Sequence, residues 1–374
     1  MNAPARSFAS SIEPTNSDAC DQLERPSFCS MKTLLRVRRA LQCDARIRWL
    51  IYTMLNLKGQ VPLAPLTTFQ IGGEARFLRE VCTEPEMREA IQWAKEHGVE
   101  FRILAGGSNV LVPDIGFDGL VIHIVEGSHE LSPEGVLTAD AGCNLLGLIR
   151  EASGKGWGGW ERMAGIPGTI GGAARGNAGA FGTEIKDVAV RVDAFNVEAG
   201  KYYTTTKMVE TSCPPVRVFR NEECEFAYRQ SFFKKHPEWV ITKVVVQLLP
   251  VGLAESSRLI EETIAEREKR HLQNVRAAGS YFMNPVAPPE IVSQFEAEKQ
   301  VQAREGRVPA GWLIEKAGMK GFAVGGAQSS MQHPNYLVNN GSATASDVQA
   351  VAVAVKEAVR QMFGIELAEE AVTW

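Results

Sequence analysis

The spacing of apolar residues predicts two helices most clearly. One covers residues 84–98 and ends at Gly98. The other covers residues 347–363, and we expect Ser346 at its start and Gly364 at its end. The apolar faces of the two helices comprise Met87, Ile91 and Ala94, and Val348, Val351, Val355 and Val359. Each face predicts burial against a core.

Short apolar runs elsewhere predict strands, and these alternate with further helices. The expected strands are Phe101–Leu104, Val110–Val112, Asp118–Val125, Gly135–Ala141, Val188–Asn196 and Val240–Leu249. The expected helices are Leu145–Gly154, Ser256–His271, Pro289–Gln302 and Pro309–Ala317. Residues 201–224 show no clear strand or helix spacing and are interpreted as an inserted surface loop.

The N-terminal part of the chain looks different from the rest. Residues 1 to about 30 are rich in Ser, Asn, Pro and acidic residues, which is typical of disorder. The basic segment Lys32–Arg48 favours a helix packed on the first domain, with a targeting segment or an RNA-contacting arm as alternatives.

Glycine is densest in residues 165–182, which read GIPGTIGGAARGNAGAFG. Seven glycines among eighteen residues cost backbone entropy, which a close approach of the backbone to a ligand can justify. Ile166, Ile170 and Phe181 interrupt the run, so it does not resemble a flexible linker. We interpret it as a rigid ligand-binding loop whose N–H groups face a phosphate; a set of tight turns is the alternative.

Neither of the two common nucleotide-binding motifs accounts for this loop. A phosphate-binding P-loop requires a Lys-Ser or Lys-Thr pair after its glycines, and none follows here. The dinucleotide fingerprint follows the first strand of its fold, whereas this loop comes late and has different spacing. Two more glycine pairs, Gly72-Gly73 and Gly106-Gly107, lie beside predicted strands and offer further places for a close approach.

Composition excludes several classes of protein. The net charge is −4 with 22% charged residues, so no concentrated basic face indicates nucleic acid as a partner. The seven cysteines are scattered and form neither a disulfide framework nor a metal-binding pattern, so we expect reduced thiols, no metal and a cytoplasmic protein. No apolar run approaches the length of a membrane span, and no membrane partner is expected.

A few polar residues are candidates for chemistry, although each has a plain structural alternative. Arg229, beside Tyr228, can bind a carboxylate or phosphate bidentately, or simply stack on a neighbouring Phe. Ser280 follows a glycine that can present its hydroxyl, or it is a turn serine. Asn284 precedes a proline in a turn, and Glu370 lies near the end of the chain, where a solvated carboxylate is common.

Taken together, the motifs resemble one family. TTFQIGG, AGGSNVLV, GIPGTIGGA, NAGAFG, YRQS, GSYFMNP, PAGWLIEKAG and GIELAEE occur in this order between about Leu63 and Val372. This combination closely resembles the UDP-N-acetylenolpyruvoylglucosamine reductase (MurB) family of peptidoglycan synthesis. No long tyrosine-bearing substrate loop is evident after NAGAFG, and in this respect the chain is similar to the shorter type II branch of the family.

The resemblance implies an α+β fold: a two-subdomain FAD-binding module of the vanillyl-alcohol-oxidase (PCMH) type, with a C-terminal α/β substrate-binding domain. The implied parts are an extension over residues 1–55, FAD-binding subdomains over 56–126 and 127–255, and a substrate domain over 256–374. FAD is expected to be non-covalent, because Cys143 and His123 lie outside the glycine motifs.

The resemblance also assigns residues to the cofactor. The implied FAD contacts are Gly72, Gly73, Ala105, Gly106, Gly107, Ser108, Asn109, Val110, Gly165, Ile166, Pro167, Gly168, Thr169, Gly171 and Gly172. In the implied reaction, hydride passes from NADPH to FAD and then to the enolpyruvyl ether of a UDP-sugar.

Catalytic residues are implied in the same way. Arg229 and Glu370 would polarise the substrate carboxylate, and Ser280 would deliver a proton to the adjacent carbon. Tyr228 and Asn284 would bind the substrate. A monomer is expected from the habit of the family.

Three positions depart from the family pattern, and rival functions stay open. Met283 stands where many relatives carry Lys, Gln70 where Arg is common, and Arg175 where relatives are usually apolar.

The alternative functions are a flavin-dependent alcohol oxidase of the same fold class, a non-catalytic nucleotide-sugar sensor, and a structural protein without cofactor.

Overall fold

A computed structural model describes residues 56–198, 201–203, 208–210, 216–269 and 275–374. The expected N-terminal extension, the Lys32–Arg48 helix and part of the expected 201–224 loop lie outside the described residues. Within the described part of the chain, no helix is both long enough and apolar enough to cross a membrane.

The first sheet has four strands in the order β1-β2-β5-β3, with one antiparallel pair at its edge. Its elements, with the short strand β4 that lies outside it, are β1 Lys58–Pro62, β2 Glu74–Val81, helix α1 Glu84–His97, β3 Phe101–Leu104, β4 Val110–Leu111 and β5 Phe117–Ile124. Helix α1 begins at a capping box formed by Thr83 and Glu86 and ends at Gly98 in the left-handed conformation. Its face of Met87, Ile91 and Ala94 is buried, as the spacing predicts.

The second sheet has five antiparallel strands in the order β14-β11-β15-β7-β6. The elements of this part are β6 His129–Leu131, β7 Val136–Asp140, α2 Leu145–Gly154, β8 Trp157–Gly158, α3 Ile170–Gly176, β9 Gly179–Ala180, β10 Thr183–Glu184, β11 Ala189–Asn196, β12 Lys201–Tyr203, β13 Met208–Glu210, β14 Arg217–Arg220, α4 Phe232–Lys235, β15 Trp239–Gln247, β16 Leu249–Pro250 and α5 Leu253–Lys269. Ile260 of α5 joins the hydrophobic core beneath this sheet.

Two expectations about this part need correction. The expected surface loop over residues 201–224 includes β14, which pairs with β11 and forms an edge of the sheet, and a hairpin of β12 and β13. The glycine-rich segment is not all loop, because α3 occupies its centre. Thr169 caps α3 by accepting a hydrogen bond from the N–H of Gly172, which overcomes the low helix propensity of the glycines.

The C-terminal part packs helices on a small antiparallel sheet. Its elements are α6 Pro289–Lys299, α7 Ala310–Lys316, β17 Ala323–Val324, β18 Ala327–Ser329, β19 Leu337–Asn339, α8 Ala345–Phe363 and β20 Val372–Thr373. The four valines expected on one face of α8 are all buried, each contributing about 1.5–3 kcal/mol of transfer free energy. Helix α8 starts earlier than expected: Thr344, not Ser346, is its N-cap, and Gly364 ends it as expected.

The C-terminal part is joined to the first sheet by strand pairing and side-chain hydrogen bonds. Strand β20 pairs in parallel with β4, which directly follows the glycine loop after β3. The side-chain amide of Asn339 donates to the carbonyl of Phe69, and Asp114 accepts from the N–H groups of Ala345 and Ser346. These contacts bring the last residues of the chain against the first glycine loops.

Candidate active site

Two of the expected cofactor loops meet in the structure. The loop that follows β3 and the segment that precedes α3 approach so closely that a Cβ on Gly106 would lie 2.6 Å from the Cα of Gly168. The Ser108 hydroxyl donates to the carbonyl of Pro167 across the same junction, at 3.1 Å. Any side chain at residue 106 would therefore force the two loops apart, which explains its glycine.

The first of these loops, which follows β3, carries several backbone N–H groups that no described residue accepts. The N–H groups of Gly106, Gly107, Ser108 and Asn109 make no hydrogen bond to another group in the described part of the chain. Gly106 is exposed, but Gly107 is buried and Ser108 and Asn109 are half-buried. Buried N–H groups are normally paired, so these three successive free donors indicate an acceptor that is not protein. Consecutive free N–H groups suit a phosphate, which agrees with the expected FAD diphosphate.

Gly72 and Gly73 are explained at least in part by packing within the protein. A Cβ on Gly73 would lie 2.4 Å from the carbonyl oxygen of Asp114, and its N–H donates to the carbonyl of Pro113. The close approach expected there is thus to another stretch of backbone. A contact of these two glycines with the cofactor stays a prediction.

Arg229 and Glu370 form an ion pair, although 141 positions separate them in the sequence. Arg229 Nε lies 2.8 Å from Glu370 Oε1, and the two side chains are 23% and 16% exposed. A second guanidinium nitrogen of Arg229 donates to the carbonyl of Gly179, within the glycine-rich segment. Arg229 therefore connects that segment with the C-terminal residues.

The carboxyl of Glu370 is held in an unusual electrostatic state. Burial raises its pKa above the ordinary value, even though the charges of Arg229 and Lys234 act in the opposite direction. The protonated acid is therefore more accessible at neutral pH than it is for an exposed glutamate. A carboxyl with this property can donate a hydrogen bond or a proton where an ordinary carboxylate cannot.

The backbone of Arg229 is in the left-handed region, with φ of 55°. Non-glycine residues rarely adopt this conformation, and those that do are concentrated at functional sites. Local contacts hold it there: Ala227 and Gln230 exchange backbone hydrogen bonds, and Lys234 Nζ donates to the Arg229 carbonyl at 3.0 Å. This backbone conformation directs the guanidinium toward Glu370 and Gly179.

Ser280 lies on the segment that pairs with the neighbourhood of Glu370. The next residue, Tyr281, accepts the N–H of Glu370 through its carbonyl at 2.8 Å, and Met283 donates to Ala368. The Ser280 hydroxyl is half-buried and has no hydrogen-bond partner within the described residues. Gly279 has φ of 73°, so the expected tight backbone turn before the serine is present.

Tyr228 and Asn284, the expected substrate-binding residues, contact each other. The Tyr228 hydroxyl accepts the backbone N–H of Asn284 at 3.3 Å, and burial raises the pKa of the tyrosine. The Asn284 side-chain oxygen accepts from the N–H of Ala310 at the start of α7, so only its amide NH₂ has no partner within the described residues. Arg307 lies over the Tyr228 ring at 4.6 Å and donates to the Asn284 carbonyl.

Sequence reasoning missed Lys234 and Arg307. Both are cations that contact site residues, but one lies on the four-residue helix α4 and the other precedes α7. The only available signal for Lys234 was its position five residues after Arg229 in an aromatic run. That spacing does not by itself distinguish a site lysine from a surface lysine.

Comparison with known proteins supports the assignment of both parts of the chain. A family model for the C-terminal domain of UDP-N-acetylenolpyruvoylglucosamine reductase matches residues 270–374. A family model for an FAD-binding domain matches residues 75–206. The expected fold, an FAD-binding module followed by a reductase C-terminal domain, is therefore confirmed.

Individual relatives match most of the chain. A UDP-N-acetylenolpyruvoylglucosamine reductase of Solibacter usitatus is 35% identical over 84% of this chain and 96% of its own length. One from Heliobacterium modesticaldum is 36% identical over 83% of this chain and 88% of its own length.

The likeness extends to a solved structure. The crystal structure of the reductase from Thermus caldophilus aligns with 85% of this chain and 98% of its own, at 29% identity and a TM-score of 0.64. Together with the matched domains, these similarities establish that the chain belongs to the UDP-N-acetylenolpyruvoylglucosamine reductase (MurB) family.

Proposed function

We propose that the protein uses NADPH and FAD to reduce the enolpyruvyl ether of UDP-N-acetylglucosamine to UDP-N-acetylmuramate in peptidoglycan precursor synthesis. The observation that carries this proposal is the Arg229–Glu370 ion pair beside the Ser280 segment. An ion pair with a carboxyl of raised pKa, next to a free hydroxyl, suits a substrate that becomes negatively charged and then takes up a proton.

The glycine loops are the proposed FAD site. The free N–H groups of residues 106–109 would bind its diphosphate, with the segment Gly165–Gly172 on the other side. Bound FAD supplies the chemistry of accepting a hydride from NADPH and passing it to the substrate. The protein contributes binding, orientation and electrostatics around it.

Arg229 and Glu370 are proposed to stabilise the charge that develops on the substrate. Reduction at the terminal enol carbon places negative charge on the adjacent carbon and its carboxylate. The Arg229 guanidinium can bind that carboxylate while its strained backbone keeps it in position. Glu370 contributes when it is protonated, because a bare carboxylate would repel the developing charge.

Ser280 is the proposed proton donor. A serine hydroxyl is a weak acid, so it can donate only to a strongly basic partner, which the enolate-like intermediate is. Its hydroxyl is not engaged with another described residue and is therefore free to face the substrate. Tyr228 and the NH₂ of Asn284 are proposed to bind the substrate beside it.

We also propose a setting for the enzyme. The UDP-sugar and NADPH are small molecules of the cytoplasm, so we place the enzyme there. It is proposed to act as a monomer, without nucleic acid or membrane as a partner.

The test follows the colour of the bound flavin. The purified protein should be yellow, bleach with NADPH under anaerobic conditions, and recolour when the enolpyruvyl substrate is added. Recolouring only with air would instead support a flavin oxidase of the same fold. Yellow protein that binds the nucleotide sugar but does not turn over NADPH would support a sensor. Colourless protein that takes up no FAD would contradict the proposal altogether.

A further inference from the structure

Arg175 is a half-buried cation without a charged partner among the described residues. It lies in the last turn of α3, and burial alone lowers the pKa of its guanidinium. Its carbonyl accepts the Ser231 hydroxyl at 2.6 Å, but its guanidinium makes no hydrogen bond or ion pair within the described part of the chain. The five donors of its guanidinium therefore have no protein acceptor among the described residues.

A second cation lies on the adjoining helix α4. The Ser231 hydroxyl, which donates to the Arg175 carbonyl, accepts the N–H of Lys234 at 3.2 Å. Lys234 is also half-buried, and its pKa is lowered first by burial and further by the charges of Arg175 and Arg229. Its Nζ donates to a neutral group, the carbonyl of Arg229. The acid that acts on Lys234 is Glu370, and Glu370 is already paired with Arg229.

The charges in this group therefore do not balance. Arg175, Lys234 and Arg229 carry three positive charges, and Glu370 carries at most one negative charge, which leaves a formal excess of at least two. Holding cations together and partly out of water is unfavourable unless an anion compensates them. A ligand that brings about two negative charges would do so.

A structural explanation of Arg175 accounts for only part of this. A cation in the last turn of a helix interacts favourably with the helix dipole, typically by a few tenths of a kcal/mol. That effect would explain a solvated arginine at this position. It does not explain why Lys234 lies in the same cationic group with no carboxylate of its own in the part of the chain that the structure describes.

We propose that Arg175 and Lys234 together bind a phosphate oxyanion of a nucleotide diphosphate at this site. This inference rests on the proposed function, under which FAD, NADPH and the UDP-sugar each carry a diphosphate. Arg175 supplies a fork that can hold two phosphate oxygens, and Lys234 supplies a compact charge beside it. Arg229 and Glu370 remain available for the substrate carboxylate.

The experiment compares Arg175→Met, Lys234→Met and Arg175→Lys with the unaltered protein and with Arg162→Met, which removes an exposed arginine outside this cluster. Three dissociation constants are measured for each: FAD with the apoprotein, and NADPH and the enolpyruvyl UDP-sugar with the oxidised holoprotein. We expect both Met variants to weaken the same ligand at least tenfold, and the ligand that changes identifies the diphosphate. Arg175→Lys should retain more affinity than Arg175→Met, and Arg162→Met should bind all three normally.

Several results would overturn this inference. Unchanged affinity for all three ligands, with a lower unfolding midpoint for Arg175→Met alone, would reduce Arg175 to a helix-terminal charge. A changed midpoint potential of the flavin with unchanged affinities would place the charge at the ring system instead. The proposed function can fail separately from the phosphate site. It fails if the unaltered protein binds FAD but does not reduce the enolpyruvyl substrate. In that case, weaker FAD binding by both Met variants would still support the phosphate site.

Discussion

The side-chain amide of Asn109 donates a hydrogen bond to the backbone carbonyl of Glu370, with 3.1 Å between Nδ2 and the oxygen. One residue belongs to the loop with free N–H groups, and the other is a candidate catalytic residue. Two residues further on, the N–H of Val372 donates to the carbonyl of Asn109, and β20 pairs with β4. Glu370 and Val372 are thereby hydrogen-bonded to the proposed cofactor loop.

We expect Asn109→Ala to affect the stability of the fold and the substrate step together. Loss of one hydrogen bond should lower the free energy of unfolding by about 1 kcal/mol. Less constrained placement of Glu370 should also slow flavin reoxidation by the enolpyruvyl substrate. Both are measured, by chemical unfolding and by anaerobic rapid mixing. Asn340→Ala, which removes an exposed amide, is the control; a normal reoxidation rate in Asn109→Ala would show that the bond does not position Glu370.

Ser280→Ala should separate the two halves of the reaction. Flavin reduction by NADPH should remain nearly intact, because the hydroxyl is not needed for that step. Reoxidation by the enolpyruvyl substrate should slow by roughly 100-fold or more, the usual contribution of a general acid. Rapid-mixing absorbance distinguishes the two rates. Equal losses in both would remove Ser280 from the role of proton donor.

Glu370 should give the substrate step a characteristic pH dependence. Burial raises its pKa, so the protonated form persists to higher pH than for an ordinary glutamate and disappears as pH rises through the raised value. The reoxidation rate should therefore fall as pH increases across that range. Glu370→Gln should be slower but should lack this fall, since an amide does not titrate. Glu369→Gln, at the exposed neighbour paired with Lys356, should retain the unaltered profile; a profile retained by Glu370→Gln would assign the titration elsewhere.

Thr344→Ala should test the observed start of α8. The Thr344 hydroxyl accepts from the N–H of Asp347, and the Asp347 carboxylate accepts from the N–H of Thr344. Removing such a cap costs about 1 kcal/mol in the free energy of unfolding. Ser342→Ala, two residues earlier and exposed, should change it by no more than a few tenths. Similar losses from both variants would mean that the cap contributes nothing specific.

Local patterns identified most of the secondary structure, because a buried face imposes its own spacing on the sequence. The valines of α8 and the apolar positions of α1 are buried as their periodicity predicts. The sequence patterns failed where contacts between distant residues determine the local structure. Helix α3 forms despite its glycines because Thr169 caps it and Ile170 and Ala174 are buried, and β14 is stabilised by its partner β11.

The sequence by itself determined the family and the glycine loops and singled out Arg229, Ser280 and Glu370 as candidates, because an ordered set of motifs is a property of the chain alone. Only the tertiary structure decided that Arg229 meets Glu370, that Asn109 holds the Glu370 backbone, and that Ser231 joins the Arg175 carbonyl to the N–H of Lys234. These relationships join residues far apart in the chain. Burial, which sets the direction of their pKa shifts, exists only after the chain has folded.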